Sequence, residues 1–383
     1  GVALPELADA YGTPLYVFDE MTLRQRARAI RETFQTAYPN SRVVYAGKAY
    51  LSPTVVGILC EEGIGLDVVS GGELAAGLRA GVPPAAMTFH GNNKSVEELR
   101  QAIAAGVGLI AIDNDLEIDL LRGIVAQMDV EISVLLRLNP GIAAHTNEKM
   151  RTGALDSKFG FPIETGQAMT AAERVAATAG LALVGYHAHI GSQIFDAFLV
   201  RQTIDRLFDF AAAARDRCGI EPRVIIPGGG FGVADDASGA DASIDEWADV
   251  AAEAMRRGTA RHRLPPPELV VEPGRAIVGP AGVALYRVGA RKEIPGVRTY
   301  VSVDGGMADN IRPSLYGARY SAALANRDGA AEPTETVTIA GKYCESGDIL
   351  IDAIALPPLE PGDLLAVPMA GAYCLAMASN YNL

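Results

Sequence analysis

A short apolar run followed by an amphipathic helical segment recurs eight times in the first 275 residues of the chain. The runs are rich in β-branched residues, and the segments between them carry apolar residues at i, i+3 and i+4; these patterns are typical of strands and helices. The runs occupy residues 42–48, 64–70, 87–91, 108–113, 132–139, 183–192, 223–230 and 268–275. Eight β/α units close a parallel (β/α)8 TIM barrel, so the sequence predicts this α/β fold.

A second domain is indicated after residue 276, where apolar and polar residues alternate and Gly and Pro mark the turns. The alternation predicts a C-terminal antiparallel β-barrel or sandwich. The segment 13–20 is also strand-like, and we expect it to pair with this domain. The predicted limits are 20–277 for the barrel, and 1–19 with 278–383 for the β domain.

Composition restricts the possible partners. A formal net charge of −13 and a pI of about 4.9 give no basic footprint for nucleic acid or an anionic membrane. No apolar stretch reaches the ~20 residues of a membrane helix, and the opening segment has no signal-peptide pattern. The cysteines (Cys60, Cys218, Cys344, Cys374) are widely spaced and the histidines lack metal-ligand spacing. We therefore expect no disulfide framework, no metal site and a cytoplasmic protein.

Polar or glycine residues stand at the C-terminal ends of most predicted strands, where barrels of this kind carry their sites. They are Lys48, Asp67, Asn92, Asn139, His189, Gly229 and Glu272. The loops "PGGGFG" (227–232) and "EPGR" (272–275) follow strands seven and eight, and backbone N–H groups of such loops can wrap a phosphate. The alternative is that both loops are tight turns only.

Glu272 follows the apolar run "LVV", where an unpaired buried charge is costly. One interpretation is a salt bridge to Arg275. The other is a partner for a protonated ring nitrogen, a cation that a carboxylate stabilises.

Lys48 ends the first run, in "VVYAGK", and it is either a solvated strand cap or a reagent. With a phosphate cradle and a carboxylate for a ring nitrogen, it completes the requirements of pyridoxal 5′-phosphate, which needs a Schiff-base lysine. A barrel interior that excludes water would make the amine nucleophilic. His189 is either a satisfied core histidine or a residue stacked on the ring, with Ser192 at the phosphate. His187 is interpreted as structural.

The chain carries the segments "YAGKAY", "GLDVVSGGEL", "HIGSQIFD", "PGGGFG", "EPGRAIVGPAG", "VDGGMADNIRPSLYGA", "GKYCESGDIL" and "GAYCLAMASNYN". Together they resemble the meso-diaminopimelate decarboxylases, which are fold-type III pyridoxal-phosphate decarboxylases with an alanine-racemase-like barrel and a C-terminal β domain. The similarity runs essentially end to end, and "CESGD" with "NIRPSLY" is its most specific part.

The resemblance implies roles for individual residues. Lys48 would form the Schiff base, His189 would stack on the cofactor and Cys344 would be the proton donor. Residues expected to bind the cofactor are Lys48, Asp67, His189, Ser192, Gly229, Gly230, Glu272, Gly274, Arg275 and Tyr373. Residues expected to bind substrate are Arg275, Arg312, Tyr316, Glu345 and Tyr373.

The implied reaction is decarboxylation of meso-2,6-diaminopimelate to L-lysine and CO2. Glu272 would keep the ring nitrogen protonated and the electron sink deep, whereas alanine racemases place an arginine there. Glu345 offers a negative charge for the distal amine, and Arg312 can take the distal carboxylate bidentately. The alternative for Arg312 is a solvated residue in a proline turn.

Other functions stay open. One is a related decarboxylase of the carboxynorspermidine, ornithine or arginine type; another is a non-catalytic pyridoxal-phosphate-binding regulator, against which the Lys48 and Cys344 pair argues. The resemblance also implies a homodimer in which Cys344 reaches the site of the neighbouring subunit. The alternative is that the β domain serves the barrel of its own chain.

Overall fold

The computed structural model describes residues 1–142, 156–234, 239–327 and 332–382. Its strands are β1 (Leu15–Phe18), β2 (Ser41–Ala46), β3 (Gly65–Val68), β4 (Met87–Phe89), β5 (Leu109–Ile112), β6 (Ile132–Asn139), β7 (Phe161–Pro162), β8 (Leu181–His187), β9 (Val224–Gly229), β10 (Glu268–Glu272), β11 (Gly282–Ile294), β12 (Arg298–Val303), β13 (Ala323–Leu324), β14 (Glu335–Ala340), β15 (Ile349–Leu356) and β16 (Leu364–Val367). Its helices are α1 (Leu4–Tyr11), α2 (Glu20–Ala37), α3 (Pro53–Glu61), α4 (Gly71–Arg79), α5 (Val96–Ala105), α6 (Asp115–Met128), α7 (Gln167–Ala176), α8 (Phe198–Cys218), α9 (Ile244–His262), α10 (Arg275–Val278) and α11 (Arg312–Tyr316). Short 3₁₀ turns occur at Gly47–Ala49, Pro84–Ala86 and Leu375–Met377.

The chain divides into two compact units. The barrel unit comprises residues 24–232 and 241–274, and the β unit comprises residues 1–23, 233–240 and 275–383. The domain limits expected from the sequence, 20–277 for the barrel and 1–19 with 278–383 for the β domain, stay a prediction. The return of the chain to the β unit at 233–240 has no signal in the strand and helix pattern.

The predicted barrel is confirmed. Its parallel strands β2, β3, β4, β5, β6, β8, β9 and β10 pair in chain order, and β10 pairs with β2 to close the ring. Each of the eight predicted runs overlaps one of these strands. At the closure, Val271 lies beside Val43, and the Ala46 N–H donates to the Pro273 carbonyl oxygen at 3.1 Å.

One cluster of buried apolar residues joins strands from different sides of the barrel, which places it in the interior. Its members are Val44, Leu109, Ala111, Leu135, Val184, Val224, Ile226 and Val270. Branched side chains of this kind fill the interior of such barrels. The chemistry is therefore left to residues at the strand ends.

The turns that leave the strands are fixed by helix caps. Ser52, Ser70, Ser95 and Asn114 each accept a hydrogen bond from the backbone N–H three residues later, at the starts of α3, α4, α5 and α6. Ser95 also forms a reciprocal capping box with Glu98. These local contacts hold the C-terminal ends of β2 to β5 in defined positions.

The β unit contains a seven-stranded sheet in the order β13-β16-β11-β12-β14-β15, with β1 on β11. Most neighbours are antiparallel, including β1 with β11, as segment 13–20 predicts. One pair differs from the expected antiparallel pattern, because β12 and β14 run parallel. A long crossover containing α11 connects these two strands, and such a connection permits parallel pairing whereas a tight turn does not.

Within the described residues, no helix has both the length and the apolar character needed to cross a membrane.

Candidate active site

Lys48 lies at the C-terminal end of β2, in the 3₁₀ turn Gly47–Ala49. Gly47 and Ala49 are buried, whereas Lys48 is exposed. A Cβ on Gly47 would come within 2.7 Å of the Asp67 carbonyl oxygen, so the turn packs directly on β3. The fold therefore holds the lysine between rigid neighbours. Lys48 is exposed in the single chain, so the exclusion of water from its amine stays a prediction.

Glu272 ends β10, and two histidines contact its carboxylate. Glu272 is 6% exposed, and His187 Nε2 donates a hydrogen bond to Oε2 at 3.1 Å. His90 Nε2 lies 3.1 Å from Oε1 but outside hydrogen-bonding geometry, so Oε1 receives no hydrogen bond from the described part of the chain. Glu272 thus presents a buried carboxylate oxygen that still lacks a donor.

Burial and the histidines set the charges in this cluster. Burial alone would raise the pKa of Glu272, but His187 and His90 hold it well below its ordinary value, so the carboxylate stays ionised. Burial lowers the pKa of His187 to about 4, and this ring is a neutral donor at pH 7. Burial also disfavours a charged His90, yet the carboxylates of Asp67 and Glu272 raise the pKa of His90 above its ordinary value. The neighbouring carboxylates therefore favour a proton on His90 more than on His187.

Asp67 and Arg137 extend the cluster. Asp67 is 5% exposed and its Oδ1 lies 3.8 Å from His90 Nε2; burial raises the pKa of this carboxyl. Arg137, near the end of β6, places its guanidinium 4.4 Å from the Phe159 ring centroid and 3.6 Å from Asp113 Oδ2. The strand ends of β3, β4, β6, β8 and β10 thus bring acidic and basic groups to one end of the barrel.

His189 follows β8 and contacts the glycine loop of β9. The Gly229 N–H donates to His189 Nδ1 at 3.4 Å. Burial, with the positive charges of Lys48 and Arg137, holds the pKa of His189 well below its ordinary value, so the ring is neutral. A neutral imidazole is compatible with stacking on a cofactor ring, and that role stays a prediction. Ser192 is half-buried in the turn that follows.

Close packing requires the glycines of the two predicted phosphate loops. A Cβ on Gly229 would overlap the Glu272 carbonyl oxygen, and one on Gly230, where φ is +90°, would overlap the carbonyl oxygen of Gly191. A Cβ on Gly274 would lie 3.0 Å from the Cβ of Ala49. Packing alone accounts for these glycines, so their contact with a phosphate stays a prediction.

Arg312 begins α11 in the β unit and is only 4% exposed. Its Nη1 donates to the Tyr320 hydroxyl, and its guanidinium carbon lies 5.5 Å from the Tyr320 ring centroid. The same hydroxyl lies 3.4 Å from Cys374 Sγ. The alternative of a solvated arginine in a proline turn is therefore wrong.

Arg275 and Tyr373 are in contact in the β unit. The guanidinium carbon of Arg275 lies 4.8 Å from the Tyr373 ring centroid, and Arg275 is 9% exposed. Burial raises the pKa of Cys374, and the charges of Arg312 and Arg275 oppose that rise. Both predicted substrate arginines are thus close enough to Cys374 to influence it. Tyr316 ends α11 and is half-buried.

Cys344 and Glu345 are exposed residues of the loop between β14 and β15. Asp348, 3% exposed, anchors this loop by accepting hydrogen bonds from the N–H groups of Tyr343 at 2.8 Å and Met307 at 2.6 Å. Burial raises the pKa of Asp348, and these two hydrogen bonds oppose the rise. The loop is fixed at its base while the two predicted functional residues remain accessible.

Sequence reasoning missed His90 and Arg137 and interpreted His187 as structural. His90 and Arg137 are polar residues at the ends of buried runs, which is the signal that singled out Glu272. Ligand atoms of His90, His187 and Glu272 lie within 4.8 Å of one another, a geometry that could also hold a metal ion. No spacing along the chain reveals this cluster, because barrel closure brings the three residues together.

Comparison with known proteins identifies the family. Residues 22–279 match the model described as "Pyridoxal-dependent decarboxylase, pyridoxal binding domain". The chain is 47% identical over 382 residues to a diaminopimelate decarboxylase of Bacillus subtilis (strain 168), and the match covers 100% of this chain and 87% of that relative. The chain belongs to the diaminopimelate decarboxylase family.

Solved structures share the architecture. Diaminopimelate decarboxylase from Helicobacter pylori, complexed with L-lysine, matches with a TM-score of 0.89 and 29% identity over 99% of this chain and 91% of that chain. Lysine/ornithine decarboxylase from Vibrio vulnificus, complexed with cadaverine, matches with a TM-score of 0.83 and 25% identity over 99% and 94%. Both decarboxylases have this fold, so the fold alone does not separate their substrates.

Pyridoxal phosphate is the cofactor of this family, and the barrel residues fit it. Glu272 Oε1 is a buried anionic acceptor without a donor, which suits a protonated ring nitrogen. The glycine loops of β9 and β10 bring backbone to the same strand ends, where Lys48 carries an accessible amine. A buried carboxylate, close-packed glycine backbone and an accessible amine are therefore all present at one end of the barrel.

Proposed function

We propose that this protein removes CO2 from meso-2,6-diaminopimelate and releases L-lysine, the last step of lysine biosynthesis. The observation that carries the proposal is Glu272 Oε1, an ionised and buried acceptor that lacks a hydrogen bond within the described residues. The match to diaminopimelate decarboxylases along the full chain supports the choice of substrate.

Glu272 would act on the electronics of the reaction. Pyridoxal phosphate, when bound, supplies the electron sink that makes loss of CO2 from an amino acid possible. Since His187 donates to Oε2 and the carboxylate stays ionised, Oε1 would accept the ring N–H and favour its protonated form. Lys48 would hold the cofactor covalently through its exposed amine.

The other cofactor contacts come from residues predicted at the sequence level. Asp67 and His189 would flank the ring. Ser192, Gly229, Gly230, Gly274, Arg275 and Tyr373 would hold the phosphate and the remaining edges. The stacking of Arg275 on Tyr373, which brings two of these residues together, supports this assignment.

Substrate recognition requires both signs of charge, because the distal end of diaminopimelate carries an amine and a carboxylate. Arg312 would bind the distal carboxylate, and its burial means that the ion pair would form with little competition from water. Glu345 would bind the distal amine, with Tyr316 beside it on the same unit. Cys344 would deliver the proton that replaces CO2.

We further propose a cytoplasmic homodimer in which Cys344 of one chain serves the site that contains Lys48 of the other. Cys344 is exposed within the single chain, as a residue that acts on a neighbouring subunit must be. A two-fold axis would build two such sites from one contact geometry.

The first test offers purified protein meso-diaminopimelate, ornithine, arginine and lysine separately, and measures CO2 release together with the amine product. We expect lysine from diaminopimelate and little turnover of the others. Arg312→Ala should lower kcat/KM for diaminopimelate by roughly 100-fold or more, because a desolvated carboxylate loses its partner.

Arg312→Lys is the matched control, since it keeps the charge but not the bidentate geometry, and should retain part of the activity. Preferred turnover of ornithine or arginine would assign the protein to the related decarboxylases. Cofactor binding without CO2 release from any substrate would indicate the regulatory alternative. Unchanged kcat/KM in Arg312→Ala would show that Arg312 does not contact substrate.

A further inference from the structure

Tyr381 and Asn382 contact Cys344 through its backbone N–H and its carbonyl oxygen. The Cys344 N–H donates to Asn382 Oδ1 at 2.9 Å, and the Tyr381 hydroxyl donates to the Cys344 carbonyl oxygen at 3.0 Å. The Tyr343 and Tyr381 rings also pack edge-on, with centroids 6.4 Å apart. Tyr381 and Asn382 together will be called the terminal clamp.

The terminal clamp is itself held by the same unit. The Ser379 N–H donates to the Ala308 carbonyl oxygen at 2.8 Å, and the Tyr381 N–H donates to Ser379 Oγ at 3.4 Å. Asn382 has a φ of +58°, a left-handed conformation that Asn and Gly adopt more readily than most residues. The clamp is therefore held by defined contacts within the β unit.

Both peptide groups of Cys344 are fixed, but its side chain is not covered. Cys344 is exposed, and Asp348 anchors only the base of its loop. Fixing the N–H and the carbonyl of one residue fixes the direction of its Cα–Cβ bond, while a thiol on an untethered loop would sample many directions. Side chains that are held in this way lose little entropy when they enter a reactive geometry.

We propose that Tyr381 and Asn382 are positioning residues that orient the Cys344 thiol for proton delivery. The inference rests on the proposed function, in which the carbon that loses CO2 keeps the electron pair of the broken C–C bond. That pair forms the new C–H bond as the S–H bond of Cys344 breaks, and the resulting thiolate takes a proton from solvent. The clamp acts on the geometry of this transfer and not on substrate binding.

The variants separate the two hydrogen bonds of the clamp. Tyr381→Phe removes the hydroxyl but keeps the ring against Tyr343. Asn382→Gly removes the side-chain acceptor and tolerates the positive φ. Asn382→Asp keeps an acceptor for the Cys344 N–H and should therefore restore the wild-type behaviour. Tyr11→Phe, at a tyrosine that is 76% exposed at the start of the chain, is the matched control.

The measurements are steady-state kinetics on diaminopimelate and the configuration of the deuterium that lysine acquires when the reaction runs in D2O. For Tyr381→Phe and Asn382→Gly we expect kcat about tenfold lower with KM nearly unchanged, because proton transfer and not binding is impaired. Wild type should place deuterium in one configuration at the carbon that lost CO2. The two variants should give a mixture, since solvent then competes with a poorly directed thiol.

The outcomes separate this inference from the proposed function. Cys344→Ala should be nearly inactive; if it keeps full activity and a single deuterium configuration, Cys344 is not the donor and the proposed role falls. If Cys344→Ala is inactive while Tyr381→Phe and Asn382→Gly keep wild-type kcat and one configuration, the clamp proposal alone is overturned. Lower kcat with mixed configuration, restored in Asn382→Asp and absent in Tyr11→Phe, supports it.

Discussion

His187 is a buried imidazole whose charge state is set by its surroundings. Only 2% of it is exposed, and its Nε2–H donates to the Glu272 carboxylate. Burial lowers its pKa to about 4, although the neighbouring carboxylate opposes that shift. His90 and Arg137 also face this ring, and their positive charges disfavour a further proton on it. The folded protein therefore keeps His187 neutral at pH values where a free imidazole would be charged.

This difference makes stability depend on pH. The pKa of His187 is lowered in the folded state, so between about pH 6.5 and 4 the unfolded chain binds more protons, and acidification across that window costs stability. For this group alone the loss is roughly 3 kcal/mol. His187→Gln keeps an N–H donor for Glu272 and removes the titration. We expect its free energy of unfolding, from urea denaturation of the cofactor-free protein, to fall less than that of wild type over the same window.

His262→Gln provides the control for the pH experiment, because it removes an imidazole at the end of α9, where Nε2 lies 2.9 Å from Asp209 Oδ1. The change in slope in this variant measures the effect of removing an imidazole elsewhere in the chain, and only a larger change in His187→Gln is attributed to His187. If the His187→Gln curve instead ran parallel to that of wild type, His187 would bind protons alike in the folded and unfolded protein, and its interpretation as a neutral donor would be wrong.

A buried ion pair ties two neighbouring β/α units together. Lys94 follows β4 and Glu117 lies in α6, with Nζ 2.9 Å from Oε2 and both side chains 1% exposed. Lys94 Nζ also donates to the carbonyl oxygens of Gly91 and Ala111, each at 2.7 Å. Glu117 accepts hydrogen bonds from the N–H groups of Lys94 and Asp113. The pair thus connects the turn after β4 to the start of α6.

Glu117→Gln should be strongly destabilising. It leaves the Lys94 ammonium buried without its counter-charge, a change that typically costs about 3–5 kcal/mol. Glu173→Gln is the matched control, because its partner Arg217 has a 67% exposed side chain and water screens such surface pairs. Urea denaturation of both variants measures the two losses. Similar losses for both would mean that Lys94 and Glu117 are hydrated in solution.

Most elements of the barrel could be predicted because their signals are local. β-branched runs marked all eight strands, and a serine before "VEEL" marks the capping box of α5. Contacts between distant segments have no such signal. The parallel pairing of β12 with β14 depends on where the chain returns after α11. The alternation of apolar and polar residues is the same in parallel and antiparallel strands, so it cannot predict the direction.

The candidate site also contains residues that the sequence could predict and contacts that it could not. Lys48 and Glu272 could be selected from the sequence because each is a charged residue at the end of an apolar run. His90 carried a similar signal, but its meeting with Glu272 depends on the order of strands around the ring. The burial of Arg312 was not predictable either, since "NIRPSLY" reads as a turn until Tyr320 is seen against the guanidinium.

At the scale of the whole molecule, the residues expected to carry the reaction are divided between the two units. Lys48 belongs to the barrel unit and Cys344 to the β unit. The proposed homodimer lets residues on different chains cooperate, and the alternative keeps every site within one chain. The two arrangements predict different behaviour when inactive variants are mixed.

Lys48→Ala and Cys344→Ala should each be nearly inactive. If sites are shared between chains, dissociating and reassembling equal amounts gives hybrids with one intact and one doubly defective site, and activity recovers to about a quarter of wild type. If each site is built within one chain, every hybrid site carries a lesion and the mixture stays inactive. We expect recovery; a mixture without activity, when gel filtration with tagged chains shows that hybrids formed, would exclude shared sites.

The ring of strands also fixes when the site can exist during synthesis. Lys48 follows the first barrel strand and Glu272 ends the last, yet these two strands are neighbours, joined by the hydrogen bond from Ala46 to Pro273. A ribosome must therefore deliver almost the entire barrel before the amine and the carboxylate can face the same ligand. An unfinished or truncated chain would offer only an isolated lysine, which has no means to retain pyridoxal phosphate selectively. If Lys48 and Glu272 hold the cofactor as proposed, its capture is coupled to completion of the fold.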